Sequence, residues 1–226
     1  MATQLDLEEQ EQLDQLKHFW KQYGNLVTWL LIAALGAYAA FNGWTWWQRD
    51  QSAKAGAMYD ELDRAAQAGD AERASRIFAD LKERFPRTAF AQQGGMLTAK
   101  LQADKGQPDA ARATLSWVGE HAIEAEYQTL ARIRLAGLLL DQKKYDEALK
   151  QLDAAAPPKE FEGLVADRRG DILLAQGKKD EAKAAYQKAW GAMDATLDYR
   201  RLVEAKLTAL GAAPDAEKTK PAETPK

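Results

Sequence analysis

The sequence predicts an all-α protein in which a single N-terminal transmembrane helix is followed by a solenoid of paired helices. The first observation is the segment 22–48, which lacks Asp, Glu, Lys and Arg in a chain whose mean hydropathy is -0.52. The second is the spacing of apolar residues beyond that segment, which recur at intervals of three and four, as in Leu135, Leu138 and Leu139. Strand signals are weak there, since the chain beyond residue 48 shows no sustained alternation and no Asn-Gly pair.

The strongly apolar part of the first segment covers residues 26–47. A helix rises about 1.5 Å per residue, so this part is long enough to cross a hydrocarbon core of about 30 Å. Trp29 lies near one end, while Trp44, Trp46 and Trp47 lie near the other, where aromatic rings favour the headgroup level. We therefore predict a transmembrane helix over 22–48.

Two other interpretations of this segment fit less well. A buried core helix normally carries a polar face, but Thr28, Asn42 and Thr45 are scattered around the helix. A signal peptide cut after the A-x-A sequence ending at Ala39 needs a basic leading region. The preceding residues are instead mainly acidic, and the apolar run continues past the cut. An uncleaved anchor is the better interpretation.

Charge alone leaves the orientation of the anchor open. Lys17 and Lys21 precede the span, and Arg49, Lys54 and Arg64 follow it. Long domains translocate largely regardless of such charges. The chain contains no cysteine, which is compatible with either an oxidising or a reducing compartment.

A repeated pattern organises the chain beyond the anchor. The segments "LLLDQKKYDEALKQLDAA" and "ILLAQGKKDEAKAAYQKA" each contain a helix, a turn and a second helix that begins Asp-Glu-Ala. Their alanines, Ala148 and Ala182, recur with the period of about 34 residues that marks the tetratricopeptide repeat. Degenerate copies surround Ala74 and Ala111. We predict a tetratricopeptide-like α-solenoid of about four helix pairs plus a capping helix, at roughly 51–86, 89–122, 125–157, 162–191 and 196–210.

Turn residues support these pairs. Gly69, Gly106 and Gly177 stand where first helices are predicted to end, where a left-handed conformation is favoured. Pro108 suits a first helical position, where its missing N–H costs nothing. The predicted organisation is an N-terminal segment 1–21, the transmembrane helix 22–48, a repeat domain 49–212 and a Pro-, Lys- and Glu-rich disordered tail 213–226.

Catalytic and nucleic-acid-binding patterns are lacking. His18 and His121 are far apart, no cysteine is available, and no Gly-rich phosphate loop occurs. We therefore expect no enzymatic activity, no cofactor and no metal site. The net charge of -3 and the absence of a basic cluster also argue against nucleic acid as a partner.

Stacked helix pairs form a concave groove lined by their first helices, and this groove is the candidate binding site. Its mixture of aliphatic and charged side chains could hold a peptide segment or a helix of a partner protein. An ordinary solvated surface is an equally open interpretation. The predicted groove residues are Leu130, Ile133, Arg134, Gly137 and Leu140 in the third pair, and Leu164, Asp167, Arg168, Asp171 and Leu174 in the fourth.

Several motifs together resemble a known family. They are the amphipathic "LKHFWKQYGN" before the span, the Trp-rich exit, "SAKAGAMYDEL" and "LVADRRGDILLAQGKKDEAKAAYQKA". This combination resembles the YfgM-type ancillary subunit of the bacterial SecYEG translocon. The resemblance covers nearly the whole chain except the tail, and it brings no catalytic residues with it.

The resemblance implies a single-pass protein of the bacterial inner membrane, with a cytoplasmic N-terminus and a periplasmic repeat domain. It also implies that the protein works beside the SecYEG translocon with the membrane-anchored chaperone PpiD and helps exported client proteins. A membrane-anchored scaffold for an unrelated envelope complex is the alternative, because both functions need only an anchored groove.

Overall fold

The computed structural model describes residues 7–214, with side chains from residue 13 onward. Most of the predicted tail, from residue 215, and the first six residues lie outside the described range. Within that range the chain forms nine α-helices and one short 3-10 helix, without a strand. The predicted all-α class is confirmed.

The chain divides into two compact units, Met1–Gln51 and Ser52–Lys226. Helix α1, Leu7–Gln67, contributes to both and extends on either side of the predicted span. Among the described helices, α1 is the one long and apolar enough to cross a membrane. Its polar side chains bond to carbonyls of the helix itself, as Thr28 does to Gly24 (2.8 Å) and Asn42 to Tyr38 (2.9 Å). Such bonds satisfy polar groups where water is excluded.

The second unit contains the predicted pairs. The part of α1 from Ser52 onward precedes α2, and each later pair joins a first helix to a second helix across a short turn. A 3-10 helix, Lys159–Phe161, stands before the fourth pair. The remaining helices are α2 (Ala71–Arg84), α3 (Ala89–Asp104), α4 (Pro108–His121), α5 (Ala125–Asp141), α6 (Tyr145–Asp153), α7 (Glu162–Ala175), α8 (Lys179–Ala192) and α9 (Asp198–Ala209).

The turns within the pairs follow the predicted chemistry, with one exception. Gly69, Gly106 and Gly177 have φ of 70°, 71° and 79°, which a residue without a Cβ adopts freely. In the third pair the corresponding residue is Lys143, with φ of 59°. Pro108 begins α4, as predicted.

Small residues create the close contacts within the pairs. Ala148 and Ala182 are completely buried, as the repeat alignment requires. At Gly170 a Cβ would lie 2.5 Å from the ring of Tyr186, so only glycine lets α7 approach α8 this closely. These contacts support the predicted register of the repeats.

Buried glutamines tie neighbouring pairs together. Gln102 on α3 donates to Ser75 of α2 (2.9 Å) and accepts from Thr114 of α4 (2.9 Å). Gln92 on α3 accepts from the backbone N–H of Ile123 (3.0 Å), in the turn between α4 and α5. These bonds position the start of α5, the first helix of the candidate site.

Candidate partner-binding groove

The ten predicted groove residues lie on α5 and α7, which are neighbouring first helices in contact with each other. Their exposure differs widely. Arg134 and Leu174 are exposed, whereas Ile133 and Asp167 are buried, at 7% and 1% exposure. The partly buried members are Leu130, Gly137, Leu140, Leu164, Arg168 and Asp171.

Ile133 belongs to the hydrophobic core of the repeat unit, so its side chain is not available to a partner in this structure. Leu130, Arg134 and Gly137 follow the i, i+4, i+7 spacing of one helical face. Ile133 shares this face but lies about 100° around the helix from Arg134, at the edge next to the core, and packs inward.

Arg168 connects the two first helices across Gly137. A Cβ at Gly137 would lie 3.7 Å from Cζ of Arg168, so the guanidinium group rests against the glycine. Nη1 of Arg168 donates to Asp171 at 3.4 Å, while its Nε is buried without a hydrogen-bond partner among the described residues. This unpaired donor lies inside the α5–α7 contact, where it is shielded from solvent.

Asp167 and Asp171 form a polar cluster with side chains from later helices. Nζ of Lys206 on α9 lies 2.8 and 2.9 Å from the two carboxylate oxygens of Asp167 and 2.7 Å from Asp171. The hydroxyl of Tyr199 donates to Asp167 and that of Tyr186 to Asp171, each at 2.8 Å. A buried carboxylate needs such partners, since an unpaired buried charge is strongly unfavourable.

This cluster has a structural role in the fold. Burial, followed by the hydrogen bond to Asp171, raises the pKa of Tyr186 well above its ordinary value of 10.0. Burial and the hydrogen bond to Asp167 raise the pKa of Tyr199 in the same way. Both phenols therefore stay protonated near neutral pH and serve as permanent donors that hold the carboxylates.

Helix α9 adds a surface that sequence reasoning missed. Tyr199, Leu202 and Lys206 share one face of α9 because they stand at i, i+3 and i+7. The first and last of these contact α7, and Leu202 between them is 48% exposed. The sequence predicts only a capping role for α9. The available signal was this spacing, combined with the acidic pair on α7 that needed a cation.

Comparison with known proteins covers both units of the chain. A family model described as a tetratricopeptide repeat-like domain matches residues 17–212. An "Ancillary SecYEG translocon subunit" of Neisseria gonorrhoeae is 32% identical over 209 residues, which cover 90% of this chain and 98% of that relative. Relatives of the same name occur in Haemophilus influenzae (26% identical, 81% of this chain and 89% of the relative) and Escherichia coli K12 (25%, 79% and 85%).

This chain belongs to the family of ancillary SecYEG translocon subunits. The resemblance to the YfgM type that the sequence motifs indicated is thereby confirmed. The matched region includes the apolar part of α1 and every helix of the second unit. The family assignment therefore rests on the candidate membrane helix and the repeats together.

Proposed function

We propose that this protein is a non-catalytic, single-pass inner-membrane subunit whose repeat domain binds partner proteins at the SecYEG translocon and assists the folding or trafficking of exported proteins. The observation that carries the proposal is the match to relatives named as translocon subunits, which extends over 90% of the chain. The apolar helix in α1 supports anchoring, and stacked repeats offer extended concave binding surfaces.

The proposed contact surface is the accessible part of the groove, extended onto α9. Arg134, Leu174 and Leu202 are exposed there, and the guanidinium group of Arg168 is half-buried between α5 and α7. Aliphatic side chains supply apolar contact area, while guanidinium groups bind carboxylates or backbone carbonyls of a partner. Because three helices contribute, one bound segment could contact several repeats at once.

In the proposed topology the N-terminus is cytoplasmic and the repeat domain is periplasmic. There the domain would contact the translocon, the membrane-anchored chaperone PpiD and exported client chains. Anchoring raises the effective concentration of the groove near these partners, so individually weak contacts are sufficient.

Site-specific photo-cross-linking in cells tests this function. Cross-linking residues at Arg134, Leu174 and Leu202 of the full chain should capture translocon components or exporting chains. Matched probes at Lys150 and Lys188, which are exposed on the second helices α6 and α8, should capture little. Equal capture from both sets would contradict the groove.

The identity of the captured proteins separates the two candidate functions. Capture of translocon components, PpiD or secreted proteins supports the proposed function. Capture of envelope proteins unconnected with secretion would instead support the scaffold function.

A further inference from the structure

A continuous apolar stripe lies on α1 just before the membrane span. Its five members, at positions 13, 16, 19, 20 and 23, are between 39% and 62% exposed. At about 100° per residue these positions fall within an arc of roughly 120°. Polar residues occupy the remaining positions of the segment 13–23. The stripe consists of Leu13, Leu16, Phe19, Trp20 and Tyr23.

Aromatic contacts make the stripe continuous with the span. The rings of Phe19 and Tyr23 have centroids 5.2 Å apart. The indole of Trp20 covers Gly24, where a Cβ would meet it at 3.2 Å. The apolar surface thus continues from Leu16 toward residue 26, where the strongly apolar part begins.

If α1 continued beyond the membrane perpendicular to its surface, part of this stripe would be exposed to water. With a rise of about 1.5 Å per residue, Leu16 and Leu13 would lie roughly 15 and 20 Å beyond residue 26. The headgroup layer of one leaflet is only about 5–8 Å thick. Phe19, Trp20 and Tyr23 could remain near that layer, but the two leucines could not.

We propose that residues 13–23 lie along the membrane surface, with the stripe in the boundary between headgroups and acyl chains of the leaflet that α1 enters. The proposal rests on the proposed membrane anchoring. Interfacial helices combine Trp, Phe and Leu on one face with Lys on the polar face, and this segment supplies Lys17 and Lys21.

The structure has α1 as one helix through this region, so the placement requires the helix to change direction at the bilayer, and Gly24 is the position that favours it. Glycine is among the residues least favourable to a continuous helix, and it stands between the stripe and the span. Trp20 and Tyr23, the aromatic residues nearest this junction, have amphipathic rings that favour the headgroup level. The surface segment would fix the depth and the rotation of the span in the bilayer.

Spin labelling tests the placement directly, because the chain has no cysteine and each label needs a single substitution. Full-length variants Leu16→Cys and Phe19→Cys place labels on the stripe. The variants Gln15→Cys and His18→Cys place matched labels on the adjacent polar face. Ala37→Cys reports on the span. Each protein is reconstituted at a high lipid-to-protein ratio into vesicles of phosphatidylethanolamine and phosphatidylglycerol.

We expect labels at 16 and 19 to be severalfold less accessible to a water-soluble nickel chelate, and more accessible to oxygen, than labels at 15 and 18. Equal nickel accessibility at all four positions, with position 37 protected, would overturn the surface placement alone. If position 37 were also accessible, the anchoring itself would be overturned. Protection that disappears on dilution with lipid would indicate a second copy as the occupant. Protection that requires added translocon would indicate a partner helix, and either result overturns the proposal.

Discussion

Gly170 and Gly137 show how one residue type serves two purposes in the first helices of the repeats. At Gly170 a Cβ would collide with the buried ring of Tyr186, at 2.5 Å. At Gly137 it would make an ordinary contact of 3.7 Å with Arg168. The first glycine is therefore required by packing between helices, whereas at the second an alanine side chain would fit in ordinary contact with Arg168.

We expect Gly170→Ala to lower the free energy of unfolding by about 1–3 kcal/mol, because the added methyl group overpacks the contact with Tyr186. Gly137→Ala should leave it unchanged or raise it by up to about 1 kcal/mol, since alanine favours the helix. Urea unfolding of the full chain in detergent measures both. An equal loss in the two variants would contradict the repeat register.

Lys143 is the non-glycine residue with positive φ among the described residues, and it should carry backbone strain. We expect Lys143→Gly to stabilise the protein by about 1 kcal/mol, because a Cβ disfavours this conformation. The matched control is Gly106→Ala, where a Cβ meets no atom within 4 Å. Any decrease in its free energy of unfolding therefore reflects the positive φ of the backbone alone. A lower free energy of unfolding for Lys143→Gly in the same assay would show that Lys143 carries no backbone strain.

At the scale of elements, α9 combines a small apolar core contact with polar contacts to α7. Only Val203 and Leu207 are buried within this helix, while Lys206 and Tyr199 join it to the carboxylates of α7. Loss of the cation would leave Asp167 buried with a single hydroxyl partner. The cluster therefore contributes to holding the groove surface on α9 in place.

We expect Lys206→Met to accelerate amide hydrogen exchange throughout α9 while α5 and α7 keep their protection, because the uncompensated carboxylate favours local opening. The double variant Lys206→Met/Asp167→Asn should recover much of the protection, since a neutral amide needs no cation. Unchanged exchange of α9 in the single variant would show that apolar contacts alone hold the helix.

The same cluster predicts sensitivity to alkaline pH. The folded chain keeps the Tyr199 proton above the ordinary pKa of 10.0, whereas the unfolded chain releases it. Stability from this group is therefore complete below pH 10 and declines as the pH rises further. The stability advantage of wild type over Tyr199→Phe should be constant below about pH 9 and should shrink as the pH rises above about 10. A constant difference in urea unfolding would rule out this linkage.

At the scale of the whole molecule, the apolar helix and the repeats belong to one chain whose family match spans both. The proposed topology requires that the anchor remains uncleaved. Protein extracted from membranes should then require detergent and retain its original N-terminus.

Protease added to spheroplasts should digest the repeat domain and leave a fragment that contains residues 1–48, because the bilayer shields the anchor and the cytoplasmic segment. Mass measurement of the fragment and of the intact chain checks both points. A mature chain that begins near Ala40 would indicate a signal peptide. A protected repeat domain would reverse the orientation.

The features that could be predicted from sequence depend on neighbours within a few residues. The span follows from the uncharged segment 22–48, and the turns follow from glycines that adopt positive φ. The repeats follow from small residues such as Ala148 and Ala182, because close helix contacts recur once per pair. Local spacing and composition carry this information, so the all-α solenoid could be predicted without coordinates.

The accessible part of the site was decided by tertiary structure. Lys206 is 39 residues from Asp167, so the pairing of this cation with the carboxylate is set by the tertiary fold. Ile133 satisfies the same apolar spacing as a groove residue, yet it packs into the core. Burial of a side chain depends on which distant helix lies over it. Only the three-dimensional packing of α9 against α7, and of α5 within the core, therefore determines which predicted groove residues a partner can reach.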